Sequence, residues 1–157
     1  MTATAHTLVA GAIASKFTDP VTASTLALLS HFIMDAVPHW DIGTSWRKRS
    51  KFETGALAIG ETSLGIIVGF FLFRNSAPLA TLLLAIFFSL LPDWLETPWY
   101  IFFASPKHLQ PSIKASLWER ISYRIYKSEN YFHTKAKFPL GVLTQIITVI
   151  FFLRLLA

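Results

Sequence analysis

The chain has no cysteine. That excludes disulfides, thiolate metal sites and cysteine nucleophiles, and leaves any bound metal to His, Asp and Glu. Charge is scarce as well: Asp, Glu, Lys and Arg make up 15% of the residues, against roughly 25% in a soluble domain. Such a chain lacks the polar surface needed to face water all round. Neither a Gly-x-Ser-x-Gly elbow nor a phosphate-cradling glycine loop occurs, so the signatures of serine hydrolases and P-loop proteins are missing. No Lys or Arg precedes the apolar stretch Leu8 to Ala14. This is unlike a secretory signal, and residues 1–17 are read as part of the fold.

Apolar residues fill the gap, at 53% of the 157 residues. The strongest run, Thr54 to Phe73, matches the roughly 20 residues needed to cross a hydrocarbon core about 30 Å thick. A second runs from Ala77 to Leu91 and continues through Trp94 towards Phe103; another, Phe138 to Ala157, closes the chain. The segment Pro20 to Val37 is also apolar, with Pro20 suited to a helix start. Residues 3–15 are shorter and rich in Ala, Gly and Thr, so they are expected to pack inside the bundle, where small residues let helices approach closely. The expected fold is all-α: a single integral membrane domain over residues 1–157, built as a polytopic transmembrane bundle of about five helices.

Eleven of the 14 basic residues fall in two stretches. Arg47, Lys48, Arg49 and Lys51 follow the second helix, and Lys107, Lys114, Arg120, Arg124, Lys127, Lys135 and Lys137 separate the fourth from the fifth. Lys16, Arg74 and Arg154 lie at the opposite helix ends if the chain crosses five times. The positive-inside rule then places the N-terminus and both basic loops in the cytoplasm. The net charge of +5 points to anionic lipid headgroups as partners and not to nucleic acid. Within the long loop, Ile113, Leu117, Ile121 and Ile125 recur every fourth residue, with Trp118, Tyr123 and Tyr126 interleaved among Lys114, Arg120, Arg124 and Lys127. This pattern predicts an amphipathic helix at headgroup level; a cytoplasmic cap helix packed on the bundle fits it equally.

Ionisable groups inside membrane segments are costly and usually functional. Here His6, His31, Asp35, His39, Asp41, Glu61, Asp93, Glu96 and His133 all fall towards the cytoplasmic end of the predicted helices. His31 and Asp35 are four apart, on one helix face. His39 repeats the step, although Pro38 is expected to disrupt that turn and re-aim it. Asp93 and Glu96 are three apart. Imidazoles and carboxylates are the ligands for Zn, Mn or Fe when thiolates are absent. Four His and five acids exceed the needs of one tetrahedral ion, so the set has room for two divalent ions. Each residue also has a plainer role. His39 can cap a helix, Asp93 after Pro92 can do the same, Glu96 can pair with a basic loop residue, and Glu61 can sit buried and neutral. What favours a metal or proton-handling site is their gathering at one membrane face. His108, in a Pro-bounded loop beside Lys107, is left out of the set.

Thr4-Ala5-His6-Thr7 and the small-residue helix after it, together with Ser30-His31-Phe32-Ile33-Met34-Asp35-Ala36-Val37-Pro38-His39-Trp40-Asp41, resemble the bacterial and archaeal membrane-bound metal-dependent hydrolases. That family includes the LexA-regulated inner-membrane type and is distantly similar to zinc-dependent phospholipase C. His6 matches its N-terminal His. Leu91-Pro92-Asp93-Trp94-Leu95-Glu96 resembles its Pro-Asp-x-Asp-His segment, with Glu96 displaced, while its His-Arg-Gly-x-Thr-His segment has no counterpart here. The resemblance covers the first 41 residues and the end of the fourth helix, and it implies metal-dependent hydrolysis at a prokaryotic cytoplasmic (inner) membrane.

The expected function is therefore a metal-dependent hydrolase at the cytoplasmic membrane interface, acting on a phosphoester or lipid. Its expected metal ligands are His6, His31, Asp35, His39, Asp93 and His133. Glu61 or Glu96 is expected to serve as general base or as a partner of the ligands. The alternatives are a non-catalytic transporter or ion-handling protein, or a membrane scaffold in which the polar cluster is structural glue. The absence of an internal repeat, and of polar groups completing a path across the other half, argues against transport.

Overall fold

The computed structural model describes residues 1–41, 48–105 and 107–157. Six α-helices occupy most of them: α1 (Ala3–Lys16), α2 (Pro20–Ala36), α3 (Lys51–Phe73), α4 (Leu79–Pro98), α5 (Leu117–Phe132) and α6 (Leu140–Leu156). A π-helical turn, Trp99–Phe103, extends α4. No β-strand occurs among the described residues, only isolated bridges.

Local chemistry sets the helix starts. Asp19 caps α2 by accepting from Thr22 N–H, with Pro20 in the first turn, where its missing N–H costs nothing. Ser50 and Glu53 form a reciprocal capping box at α3. That box starts α3 three residues before the expected Thr54, so Glu61 lies nearly three turns inside the helix. Pro92 does not end α4, which continues to Pro98. Ser116 caps α5, so Ile113 lies outside the helix that its spacing suggested.

The shortest of these helices is the central one. At 14 residues α1 spans about 21 Å, and Val9, Ala10 and Ala14 are inaccessible. It packs on α2, α3, α4 and α6. Its small side chains let α3 approach: a Cβ on Gly65 would come within 2.9 Å of the Ala3 and Thr4 backbone, and one on Gly69 within 2.9 Å of Thr7 Cβ. Thr7 Oγ1 donates to Gly65 O at 2.8 Å across this seam. The buried residues Ala23, Ala27, Ser30 and Met34 of α2 recur at spacings of three and four, as do Leu82, Ala85, Ile86 and Ser89 on α4, and the two helices pack together.

α3 and α4 with its extension are long and apolar enough to cross a membrane; α6, at 17 residues, is apolar but shorter. Their outward faces are apolar. Only Gly65 and Gly69 of α3 are buried, while Ile59, Leu64, Ile67 and Phe71 are exposed. α5 differs. Tyr123 and Tyr126 pack on the buried Trp99 of the π-turn, with ring centroids 4.8 and 6.0 Å away. Leu117 and Trp118 stay exposed at 70% and 72% beside Arg120 and Arg124. One face thus caps the bundle, and the other is apolar and basic.

Candidate metal centre

α1 begins, α2 ends and α4 ends at the same pole of the molecule as the α5–α6 linker, and this brings together His6, His31, Asp35, His39, Asp93 and His133. Two groups result, His6 with His31 and Asp93, and Asp35 with His39 and His133. Within each, the potential ligand atoms lie within 4.8 Å of one another, and each group could hold a metal ion. All six are residues whose spacing and chemistry nominated them as ligands.

The backbone explains how residues so distant in sequence meet. α2 ends at Ala36, and the chain continues extended through Pro38. There it pairs with the linker after α5: Thr134 N–H donates to Asp35 O (2.9 Å), His39 N–H to Thr134 O (3.1 Å) and Ala136 N–H to His39 O (2.7 Å). This short parallel pairing carries His133 to the end of α2. Pro38 does re-aim His39, as expected, yet its Nε2 still lies 3.8 Å from Asp35 Oδ1. Gly141 makes room at the start of α6, where a Cβ would sit 2.5 Å from Trp40 N and 2.9 Å from the carbonyl carbon of His39.

Asp35, buried, joins the two groups. Its Oδ1 lies 3.2 Å from His6 Nε2 and 3.8 Å from His39 Nε2; its Oδ2 lies 3.6 Å from His31 Nε2 and 3.4 Å from His133 Nδ1. One carboxylate thus faces all four imidazoles. The Met1 amino group also contacts Asp35 Oδ1. Asp93 Oδ1 lies 3.9 Å from His31 Nε2.

Hydrogen bonding fixes how these groups can interact. His31 Nδ1 lies 2.8 Å from Ser89 O, and His39 Nδ1 lies 2.7 Å from Val37 O. A carbonyl only accepts, so both Nδ1 atoms carry the proton and, in the neutral rings, both Nε2 atoms present a lone pair to the cluster. Ligand histidines are usually held in this way, with the far ring nitrogen donating to a carbonyl or carboxylate. His133 Nε2 is 2.8 Å from both His39 Nε2 and Asp41 Oδ2, and its Nδ1 faces Asp35. A neutral His133 has one N–H for these three acceptors. Neither nitrogen of the buried His6 has a hydrogen bond, and its ring stacks on His31 at 4.1 Å. The Met1 amine donates to Asp35 Oδ1, while His31 and His39 turn Nε2 lone pairs towards the carboxylates of the cluster. Each group presents nitrogen and oxygen donors without thiolate, and could hold a metal ion.

The field at the rim agrees. Burial, opposed in part by Asp35 and reinforced by the nearby Met1 amine, pushes the His39 pKa down to about 4 from 6.5, so its ring stays neutral and available as a ligand. Asp41 is opposed by burial but held below the usual carboxylate range by the hydrogen bond from His133 and the charge of Lys135. Glu129 of α5 is pushed up to about 7 by burial and by the charges of Asp93 and Asp35.

Of the two acids expected to act as bases, Glu61 accepts from Thr4 N–H at 3.3 Å and so holds the first turn of α1. Glu96 is half-buried; its carboxyl hydrogen-bonds Tyr100, and its Oε2 has no partner. Both line a cavity of about 170 Å³ that also reaches Asp93, Asp41 and His133. His108 bonds to Glu119 at 2.7 Å and takes no part in the cluster. Asp41 and Glu129 were not assigned roles from sequence. Asp41 follows His39 by two residues, and Glu129 precedes His133 by four, but a neighbour in sequence is a weak signal where the chain leaves the helix. Arg47, counted in the first basic stretch, lies outside the described residues. No family model, curated protein or solved structure matches the chain.

Proposed function

We propose that this chain is a polytopic protein of a prokaryotic cytoplasmic membrane, and a metal-dependent hydrolase of phosphoesters with its site at the cytoplasmic interface. The observation that carries the reading is Asp35, a buried carboxylate facing four imidazoles of which two have their tautomer fixed for metal binding. His6, His31 and Asp93 would hold one ion, and Asp35, His39 and His133 the other, with Asp41 beside His133. A pair of divalent ions supplies Lewis acidity there, lowering the pKa of water and neutralising charge that develops on a phosphoryl group.

The chain's own residues do the rest. Water adds to phosphorus, the bond from phosphorus to the leaving oxygen breaks, and that oxygen takes up a proton. Glu96, which bonds Tyr100 and lines the cavity with Asp93, would take the proton from water through its unbonded Oε2, while Glu61 holds the first turn of α1. The resemblance to membrane-bound metal-dependent hydrolases supports the same reaction class. The apolar outer surface of α3 supports a lipid setting, since a core helix of a soluble protein would hide these side chains.

Metal content of detergent-purified protein, measured by elemental mass spectrometry, tests the reading. Wild type is expected to hold two equivalents of Zn, Mn or Fe, Asp93→Asn one, and Asp35→Ala none. Folded protein that binds no divalent ion after reconstitution with excess metal overturns it.

A further inference from the structure

The cavity beside the metal-ligand cluster has a mixed lining. Its polar residues include Asp41, Asp93 and His133, the acids Glu61 and Glu96, and the basic Arg49 and Lys135. Leu57, Ala58, Ile59, Trp94 and Ile101 form the walls, and Leu57, Ile59 and Trp94 are also exposed on the outside of the bundle. The walls belong to α3 and to α4 with its π-turn, the two segments long and apolar enough to span a membrane. α3 packs mainly on α1, and α4 mainly on α2, so these two segments are only loosely closed against each other. Among Leu57, Ile59 and Glu61, the α3 lining also has the small residues Thr54, Gly55, Ala58 and Thr62, whose side chains leave part of the space between the helices unfilled.

We propose that this cleft is a lateral portal for a phosphate-bearing membrane lipid, whose headgroup reaches the metal-ligand cluster while its acyl chains remain between α3 and α4 in the bilayer. The volume fits that division. About 170 Å³ is below the roughly 300–1,000 Å³ of sites that engulf a whole small molecule. It takes a headgroup and leaves the chains outside. Charge fits too. Arg49 and Lys135 complement a phosphate, but the lining carboxylates Asp41, Glu61, Asp93 and Glu96 repel one until divalent cations offset them. The proposal therefore rests on the metal reading above and names the substrate class of that site.

Two glycines of α3 make the test clean. A Cβ on Gly55 or on Gly60 meets nothing within 4 Å, but only Gly55 lines the cavity. Both positions are helical, where replacing Gly favours the helix. Gly55→Leu fills the portal without touching a candidate ligand, and Gly60→Leu is its control. Metal-loaded proteins are presented with dioleoyl phosphatidic acid in nanodiscs, and bound lipid is read by native mass spectrometry. Glycerol 3-phosphate, the same headgroup without chains, is supplied in parallel, and hydrolysis of both is followed by phosphate release.

Wild type and Gly60→Leu are expected to retain the lipid, and Gly55→Leu to retain at least ten-fold less with metal content unchanged. Equal retention in all three, or none in metal-loaded wild type, overturns the portal. Hydrolysis of glycerol 3-phosphate at the same rate in all three, without lipid retention, overturns the portal and leaves the hydrolase reading standing. Retention lost only in Gly55→Leu, with no phosphate released from either compound, upholds the portal and removes the hydrolase.

Discussion

At the scale of single residues, the site is governed by proton supply. His39 illustrates it. Its folded-state pKa is lowered to about 4 from 6.5, so between those values the unfolded chain takes up a proton that the folded one refuses. In metal-free protein the contribution of His39 to stability is constant above pH 6.5 and is lost as pH falls towards 4. Thermal unfolding of chelator-treated protein from pH 8 to pH 4 should therefore show a smaller acid loss in His39→Gln than in wild type. Equal slopes would mean that His39 titrates normally and that its ring is better solvated than its buried position implies. The imidazoles and carboxylates themselves were legible in the sequence, because ionisable groups are rare in an apolar chain and these share one end of their helices. Their tautomers were not, since these depend on Ser89 O and Val37 O, carbonyls that carry no mark in the sequence.

The elements were legible almost throughout, from apolar runs, Pro20 and the small-residue first helix. Their ends were less so. Whether α3 begins at Lys51 depends on a two-residue capping box, and whether α5 begins at Leu117 depends on Ser116. What no periodicity revealed is the pairing of the linker after α5 with the end of α2, the feature that places His133. Gly141 sets that arrangement, because the atoms nearest a Cβ there are all backbone and cannot rotate away. Gly141→Ala should destabilise the protein by about 1–3 kcal/mol, the usual cost of overpacking, and weaken metal binding to the group containing His39 and His133. Thermal unfolding together with metal titration checks this, with Gly60→Ala expected to be harmless. A Gly141→Ala protein as stable and as tight for metal as wild type would show that α6 is free to shift.

For the whole molecule, the proposed membrane setting fixes which pole should face which side. α1 and α3 run away from the site pole, α2 and α4 return to it, and the described basic residues of both loops lie at that pole. The absence of cysteine makes the orientation directly measurable. Single cysteines at Lys51 and at Lys137 should react with a membrane-impermeant maleimide only in inside-out vesicles, and one at Asn75 only in right-side-out cells. Labelling of Lys51→Cys and Asn75→Cys from the same side would mean that α3 does not cross.

Composition and spacing by themselves determined the all-helical class, the helix count to within one element and the identity of the six clustered residues. These follow from local physics: an apolar run of sufficient length must hide its backbone in a helix, and a charge placed within it is too costly to be idle. Tertiary structure alone decided that Asp35 faces four imidazoles, that Glu61 is tied to α1 and lines a cavity together with Glu96, and that α3 and α4 part beside the site. Those outcomes depend on contacts between residues far apart in the chain, Met1 with Asp35 and His39 with His133 among them, and on small residues whose effect is the space they leave. Neither a distance between helices nor an unfilled volume is written in the order of residues along one of them.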